Sequence, residues 1–280
     1  MALFCKRVML LFVLGLVYSG TSVWSADLAA HRAIYDLRLL SGGSSAAFTD
    51  VTGKMYLDWN DVCDGWTLTQ HVRMIFSGPS GKAINNRFSF SSWESRDGSE
   101  FRYTMRSTTN DKLNEQVEGR AELDPERVGG VARFSKPKES SIDLPAGTLF
   151  PTEHLFLTLE HAMAGGRILT RNVFSGTGDD SLNEVSAFIG PMIAPSDEPD
   201  DLSQSNSSAS AALKGLRSWP VAMAYFPYGE GDHEPEFEVH FRVMENGVSP
   251  GMDLDYGNFA IRGLIEHLEY HSPPDRKSVV

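Results

Sequence analysis

The sequence holds only two cysteines, Cys5 and Cys63, among 280 residues, which excludes a disulfide-rich scaffold and a four-cysteine zinc site. It has no run of Lys and Arg to set against 37 Asp and Glu. With 25 basic residues the formal charge is -12, so neither a nucleic-acid groove nor an anionic-membrane patch is expected. No G-x-S-x-G nucleophile elbow occurs, and no apolar run reaches the roughly 20 residues a spanning helix needs. What is present is a chain 41% hydrophobic and 22% charged, enough apolar surface to rule out wholesale disorder. Its length fits two domains of ordinary size or one large all-β domain.

The amino terminus has the three parts of an export signal. Lys6 and Arg7 precede an apolar stretch from Val8 to Val17, and the small residues leading to Ser25 stand ahead of Ala26. Residues 1–25 therefore read as a cleaved signal peptide, with Ala26 or Ala30 as alternative cleavage points. No transmembrane anchor is expected after cleavage, and residues 26–280 are expected to form one β-rich domain. Cleavage would leave Cys63 as an odd cysteine in an oxidising compartment. Its acidic setting, Asp61-Val62-Cys63-Asp64, suits an unpaired or packed thiol better than a nucleophile.

Period-two alternation dominates beyond residue 31. Ala33, Tyr35, Leu37 and Leu39 share one strand face, Met55, Leu57 and Trp59 another, and Phe88 with Phe90 and Phe101 with Tyr103 and Met105 repeat the pattern. Asp64-Gly65, Asp97-Gly98 and Asn246-Gly247 predict tight hairpins with positive φ, hence antiparallel neighbours. Later runs bring the expected total to eleven to fourteen strands. One segment departs from the pattern: Phe150 to Gly166 carries Pro151 at a first-turn position, glycines after the last periodic residue, and Leu155, Leu159, Ala162 and Met163 at helical spacing. A single packing helix is expected there. The Ser-, Asp- and Pro-rich stretch 194–210 reads as a mobile loop. The fold class is thus mainly β, an antiparallel sheet covered by one α-helix.

The chemical motifs are incomplete. His154 and His161 are seven residues apart on the helix, not the four of a zinc-protease pair, and read as solvated side chains. Gly78-Pro79-Ser80-Gly81-Lys82 lacks the first glycine and the Ser or Thr of a phosphate loop. The run from Asp253 to Asn258 misplaces the glycine of a calcium loop and has Leu264 where the twelfth-position Glu belongs. Asp232-His233-Glu234 reads as a loop tip. No catalytic, cofactor or metal residue is assigned on these grounds, and no enzyme activity is expected, although a carboxylate hydrolase stands as a minor reading.

Three ordered stretches together resemble one family. They are His31-Arg32-Ala33-Ile34-Tyr35-Asp36-Leu37, then Leu144-Pro145-Ala146-Gly147-Thr148-Leu149-Phe150-Pro151-Thr152-Glu153-His154, then Glu245-Asn246-Gly247-Val248-Ser249 followed by Leu254-Asp255-Tyr256-Gly257-Asn258-Phe259-Ala260. The chain is similar here to the EipB-type cell-envelope integrity proteins of Gram-negative bacteria. The resemblance implies a periplasmic protein whose strands wind into a spiral, partly closed, barrel-like sheet. It also implies a role in maintaining the envelope, with no established enzymatic reaction. Together with the incomplete motifs, it favours a non-enzymatic factor, needed under envelope stress, that acts through periplasmic protein partners. The second reading is a carrier or sensor of a lipid or lipoprotein acyl chain in the concave face, lined by Phe88, Phe90, Phe101, Tyr103 and Met105; core packing explains the same residues. Family members commonly join a cysteine at the position of Cys63 to one near the carboxyl terminus. The tail from Glu269 to Val280 has no cysteine, so that bridge's partner is missing here.

Overall fold

The computed structural model describes residues 27–42, 48–79, 81–178, 180–195, 207–229 and 234–272. The expected signal peptide, Asp232 and His233 lie outside them. The described residues hold fourteen strands in one antiparallel sheet. The first eight run as a meander: β1 (His31–Gly42), β2 (Asp50–Val62), β3 (Gly65–Ser77), β4 (Ala83–Ser95), β5 (Glu100–Thr109), β6 (Lys112–Leu123), β7 (Gly130–Lys136) and β8 (Ser140–Leu144). The chain then crosses to the far edge through helix α1 (Pro151–Met163). It returns as β9 (Ile168–Phe174), β10 (Leu182–Ile189), α2 (Ser207–Leu213), β11 (Ser218–Pro227), β12 (Phe237–Met244), β13 (Gly251–Asp255) and β14 (Phe259–Tyr270). β14 pairs with β1, so the first strand lies inside the sheet and β8 and β9 are its edges.

The sheet curls until the two edges meet. Phe174 of β9 sits edge-on against Tyr103 of β5 and Phe134 of β7, at ring-centroid distances of 5.6 and 6.3 Å. Between the edges, Leu149 donates its N–H to the Asn172 carbonyl (2.8 Å) and accepts from the Phe174 N–H (3.0 Å), one residue of parallel pairing that links the edges of a nearly closed barrel. The inner positions of the alternating strands form the core. Phe90, Phe101, Tyr103 and Met105 are buried with Val117, Phe134, Phe150 and Phe174, so these aromatic residues pack on one another.

Helix α1 forms where the sequence predicts it, from Pro151 at its first turn to Gly165 (φ 82°) just beyond its end. Leu159 and Ala162 pack on Val173, Val185 and Trp219 of the returning strands, while Phe156 meets Trp66 of β3 at 5.1 Å. The helix thus fills the space between the two arms of the curled sheet.

Two local expectations are corrected. The β2–β3 hairpin turns on Cys63 and Asp64, with Val62 opposite Gly65, so Gly65 is a strand residue with negative φ. It is glycine because a Cβ there would run into the Glu94 carbonyl oxygen of the adjacent strand. The hairpin that does use two positive-φ residues is Asn110-Asp111, at φ 50° and 64°. The second correction concerns the stretch 194–210. Its residues 196–206 lie outside the described set, but its end enters α2, whose Ala209 and Leu213 are fully buried against the β1–β14 core. The run Ala209 to Leu213 lacks bulk, yet alanine is the best helix former and asks only for a flat surface to cover.

Candidate functional site

The stretch Leu144–His154 builds the junction between the two edges of the sheet. Gly147 (φ 74°) turns the chain, and the buried Thr148 hydroxyl donates to the Pro145 carbonyl at 2.7 Å. Leu149 makes the edge-to-edge bridge, and Phe150, with no exposed surface, stacks on Phe101 at 5.1 Å. Phe150 is also the residue before the helix and has no side chain to cap it.

The cap comes from another strand. Glu94 of β4, 1% exposed, accepts hydrogen bonds from the N–H groups of Thr152 and Glu153, each at 2.8 Å. One carboxylate thereby satisfies two of the donors a helix leaves open at its start. Burial pushes the Glu94 carboxyl up to about 7; the two backbone hydrogen bonds oppose the rise and the neighbouring Glu153 charge adds to it. Glu153 in turn holds Arg127 through two contacts of 3.0 and 3.2 Å, and Arg127 donates to the Asp97 carbonyl at 2.6 Å. Gly98 lies beneath this pair, where a Cβ would strike both side chains.

His154 is the main correction to the sequence reading. It is buried, 5% exposed, and its Nε2 has no hydrogen-bond partner among the described residues. Burial, helped by the Arg171 charge, pushes its imidazole down to about 4, so it is neutral at pH 7. The buried stripe of α1 includes His154 and Thr158 besides the apolar residues. His161 is half-buried with its ring against Gly166, so the two histidines share no site. Glu234 is exposed. Asp253 is held by Arg262 through two 2.7 Å contacts, and Asp255 accepts from the Gly257 N–H in the β13–β14 hairpin, a polar turn in place of a calcium loop.

The other two quoted stretches meet at one end of the barrel. The buried Tyr35 hydroxyl donates to the Ser249 carbonyl at 2.9 Å, and Gly247 (φ 82°) lies against Leu28. Nearby, Asp58 of β2 accepts from Tyr56 (2.7 Å), His271 (2.8 Å), Asn60 (2.7 Å) and Arg32 (3.1 Å). Partial burial pushes its carboxyl up, but these hydrogen bonds outweigh it and hold the group down at about 2. Asp58 thus ties the first strand, β2 and the end of β14 together. Cys63 is exposed in the neighbouring hairpin turn, without a disulfide partner among the described residues. Arg96, stacked over Trp66 at 4.8 Å, braces that turn through Asp61 and the Val62 carbonyl.

Glu94, Arg127 and Asp58 were not singled out from the sequence. Glu94 carried a signal: period two places it on the inward face with Phe88 and Phe90, where a carboxylate requires partners. Arg127 and Asp58 carried none, since their partners come from distant strands.

The EipB-like family model matches residues 24–272, which contain every one of these contacts. The chain belongs to the EipB-like family. Its sequence is 27% identical over 268 residues to the cell envelope integrity protein EipB of Brucella abortus (strain 2308), covering 94% of this chain and 92% of that protein. Its fold is similar to the crystal structure of a β-barrel-like protein of a domain family of unknown function from Brucella abortus. The TM-score is 0.77 and the identity 28%, over 88% of this chain and all of that one. The three stretches that carry the resemblance to the EipB-like proteins are therefore the edge junction and the chain-end clasp of the barrel.

Proposed function

We propose that the protein maintains cell-envelope integrity as a non-enzymatic periplasmic component, acting through protein partners. The observation that carries this reading is the match along nearly the whole chain to a protein named for envelope integrity. The chemistry of the junction supports it, because the functional-looking groups there have structural occupations. Glu94 caps a helix, Glu153 is paired with Arg127, and His154 is buried and neutral. The acyl-chain carrier reading draws less support: four of the five residues suggested as its lining, Phe90, Phe101, Tyr103 and Met105, are buried in a close-packed cluster, and α1 fills the space between the arms.

Deletion of the gene is expected to sensitise cells to detergent and cell-wall antibiotics, with rescue by a plasmid copy. The protein should be recovered from the periplasmic fraction with its amino terminus at Ala26. Rescue should survive alanine replacement of His161, Asp232, His233 and Glu234 taken singly, at unchanged abundance by immunoblot. An enzyme would lose orders of magnitude in rate on removal of one acid, base or metal ligand. Loss of rescue by any one of these variants at normal abundance would mean that the site carries specific metal, binding or catalytic work, and would overturn the reading of these polar groups as dispensable.

A further inference from the structure

The outer face of the barrel gathers cations that the sequence keeps apart. Lys54 of β2 lies directly opposite Arg73 of β3, and Arg73 lies directly opposite Arg87 of β4. His71 is two residues along on the same face of β3, and Arg106 of β5 lies diagonal to Arg87, opposite Ser89. Like charges directly opposed across antiparallel strands repel, so such a row costs stability. This chain has 37 acidic residues with which it could have alternated the signs. It does so only at the flanks of the row, where Lys54 is met by Asp36 (3.0 Å) and Glu266 (2.5 Å) and Arg87 by the exposed Asp111 (2.6 Å). Arg73, at the centre of the row, has only the amide oxygen of Asn85 at 3.3 Å, and Arg106 has no carboxylate partner among the described residues. The absence of a basic run in the sequence does not reveal this grouping, because the cations come from four different strands.

The row borders a groove of about 620 Å³. One wall is the Tyr56 ring stacked on His71, with centroids 6.0 Å apart, and Ser89 faces the groove within 3.1 Å of the His71 ring nitrogen. The groove is lined by Arg73, which has no carboxylate partner among the described residues, by Arg87 and Lys54, which have one and two, by the Ser89 hydroxyl and the His71 imidazole edge, and by one carboxylate, Glu266, which is held by Lys54. Guanidinium, ammonium, hydroxyl and imidazole together are the donor set that recognises phosphate oxygens.

We propose that this groove binds a phosphate group, with Arg73 as the central ligand, Lys54 and Arg87 beside it, and Arg106 on the neighbouring strand adding to the positive field. The bound dianion or phosphodiester supplies the counter-charge that Arg73 and Arg106 lack. The phosphate can be carried by a lipid headgroup at the membrane surface or by a small soluble molecule, and the chemistry of recognition is shared.

The test uses the mature chain and a double variant, Arg73→Gln with Arg87→Gln. A control, Lys138→Gln with Arg167→Gln, removes the same charge from exposed positions elsewhere. Pyrophosphate is titrated by amide NMR, and flotation is measured with phosphatidylcholine vesicles with and without one-fifth phosphatidic acid. Pyrophosphate-induced shifts should centre on β2–β5 and weaken at least tenfold in the double variant but not in the control. Flotation lost in the same variant assigns the phosphate to a lipid headgroup; pyrophosphate binding without flotation assigns it to a soluble molecule. The double variant should melt at or above the wild-type temperature, because it relieves repulsion. Should it fail to fold, wild-type shifts centred on β2–β5 and suppressed by 0.5 M NaCl carry the proposal. Binding to neither probe, shifts centred elsewhere, or an equal loss in the control would overturn it. An acidic protein captured by the row in place of either phosphate probe would also overturn it.

Discussion

Glu94 and His154 are two buried titratable groups whose pH responses run in opposite directions. The folded pKa of Glu94 is about 7 against an ordinary 4.5, so the native state holds its proton longer and stability falls as pH rises from about 4.5 to 7. The folded pKa of His154 is about 4 against 6.5, so the unfolded chain takes up the proton first and stability falls as pH drops from about 6.5 to 4. In the wild type the two slopes oppose each other over the shared window. Glu94→Gln should leave stability rising with pH there, and His154→Leu should leave it falling; urea denaturation at half-unit intervals from pH 4.5 to 7 is the measurement. Glu94→Gln should cost about 1–3 kcal/mol at pH 7, because one helix N–H then faces an amide donor. His154→Ala should cost about 2–4 kcal/mol by opening a cavity, and lower abundance for that reason alone. Parallel pH slopes in wild type and both variants would contradict the burial of these groups.

At the scale of elements, the strands were legible because period two is a local property: Phe237, Val239, Phe241 and Val243 alternate with Glu238, His240 and Arg242, and Val185, Ala187 and Ile189 share the buried face of their strand. Helix α1 was legible from Pro151 and Gly165 for the same reason. What the sequence did not disclose was which face of α1 is buried in full, since His154 and Thr158 share the stripe with Leu159 and Ala162. Residue type suggested solvent for His154, whereas helix geometry puts positions 154, 155, 158, 159 and 162 on one side. Helix α2 was missed because its packing surface is alanine. The edge junction was missed because a single residue, Leu149, makes it through backbone groups alone. The helix should behave as a wedge between the two arms. Leu159→Ala should cost about 2–5 kcal/mol, whereas Glu160→Ala on the exposed face should stay within about 0.5 kcal/mol. Thermal denaturation monitored by near-UV circular dichroism of Trp66 and Trp219, which both belong to the cluster around α1, separates the two outcomes.

For the whole molecule, the question is what holds the chain's two ends together where the family pattern would place a disulfide. The resemblance puts one half of that bridge at Cys63 and the other near the carboxyl terminus, where no cysteine is available. The structure supplies a non-covalent connection beside that position. Asp58 holds Arg32 of the first strand and His271 just beyond the last, while the His271 N–H donates to the Ala30 carbonyl at 2.9 Å. Asp58 is 14% exposed, so its hydrogen bonds are shielded from water in a way that the surface ion pairs of the barrel are not. Its folded pKa of about 2 lies below the ordinary 3.8, so the stability it contributes is present above about pH 4 and lost as pH falls toward 2. Asp58→Asn keeps the shape but weakens four hydrogen bonds to a charged acceptor, and should cost about 1–3 kcal/mol at pH 7. Cys63→Ser should change stability by less than about 0.5 kcal/mol, because the thiol is exposed and closes no loop. Chemical denaturation of both variants, with and without reductant, tests this division: the wild-type midpoint should not respond to reductant, and the protein should run as the same monomer on reducing and non-reducing gels. A reductant-sensitive midpoint or a reducible dimer would mean that Cys63 forms a bridge between chains, and that the ends are secured by a partner copy instead of by Asp58.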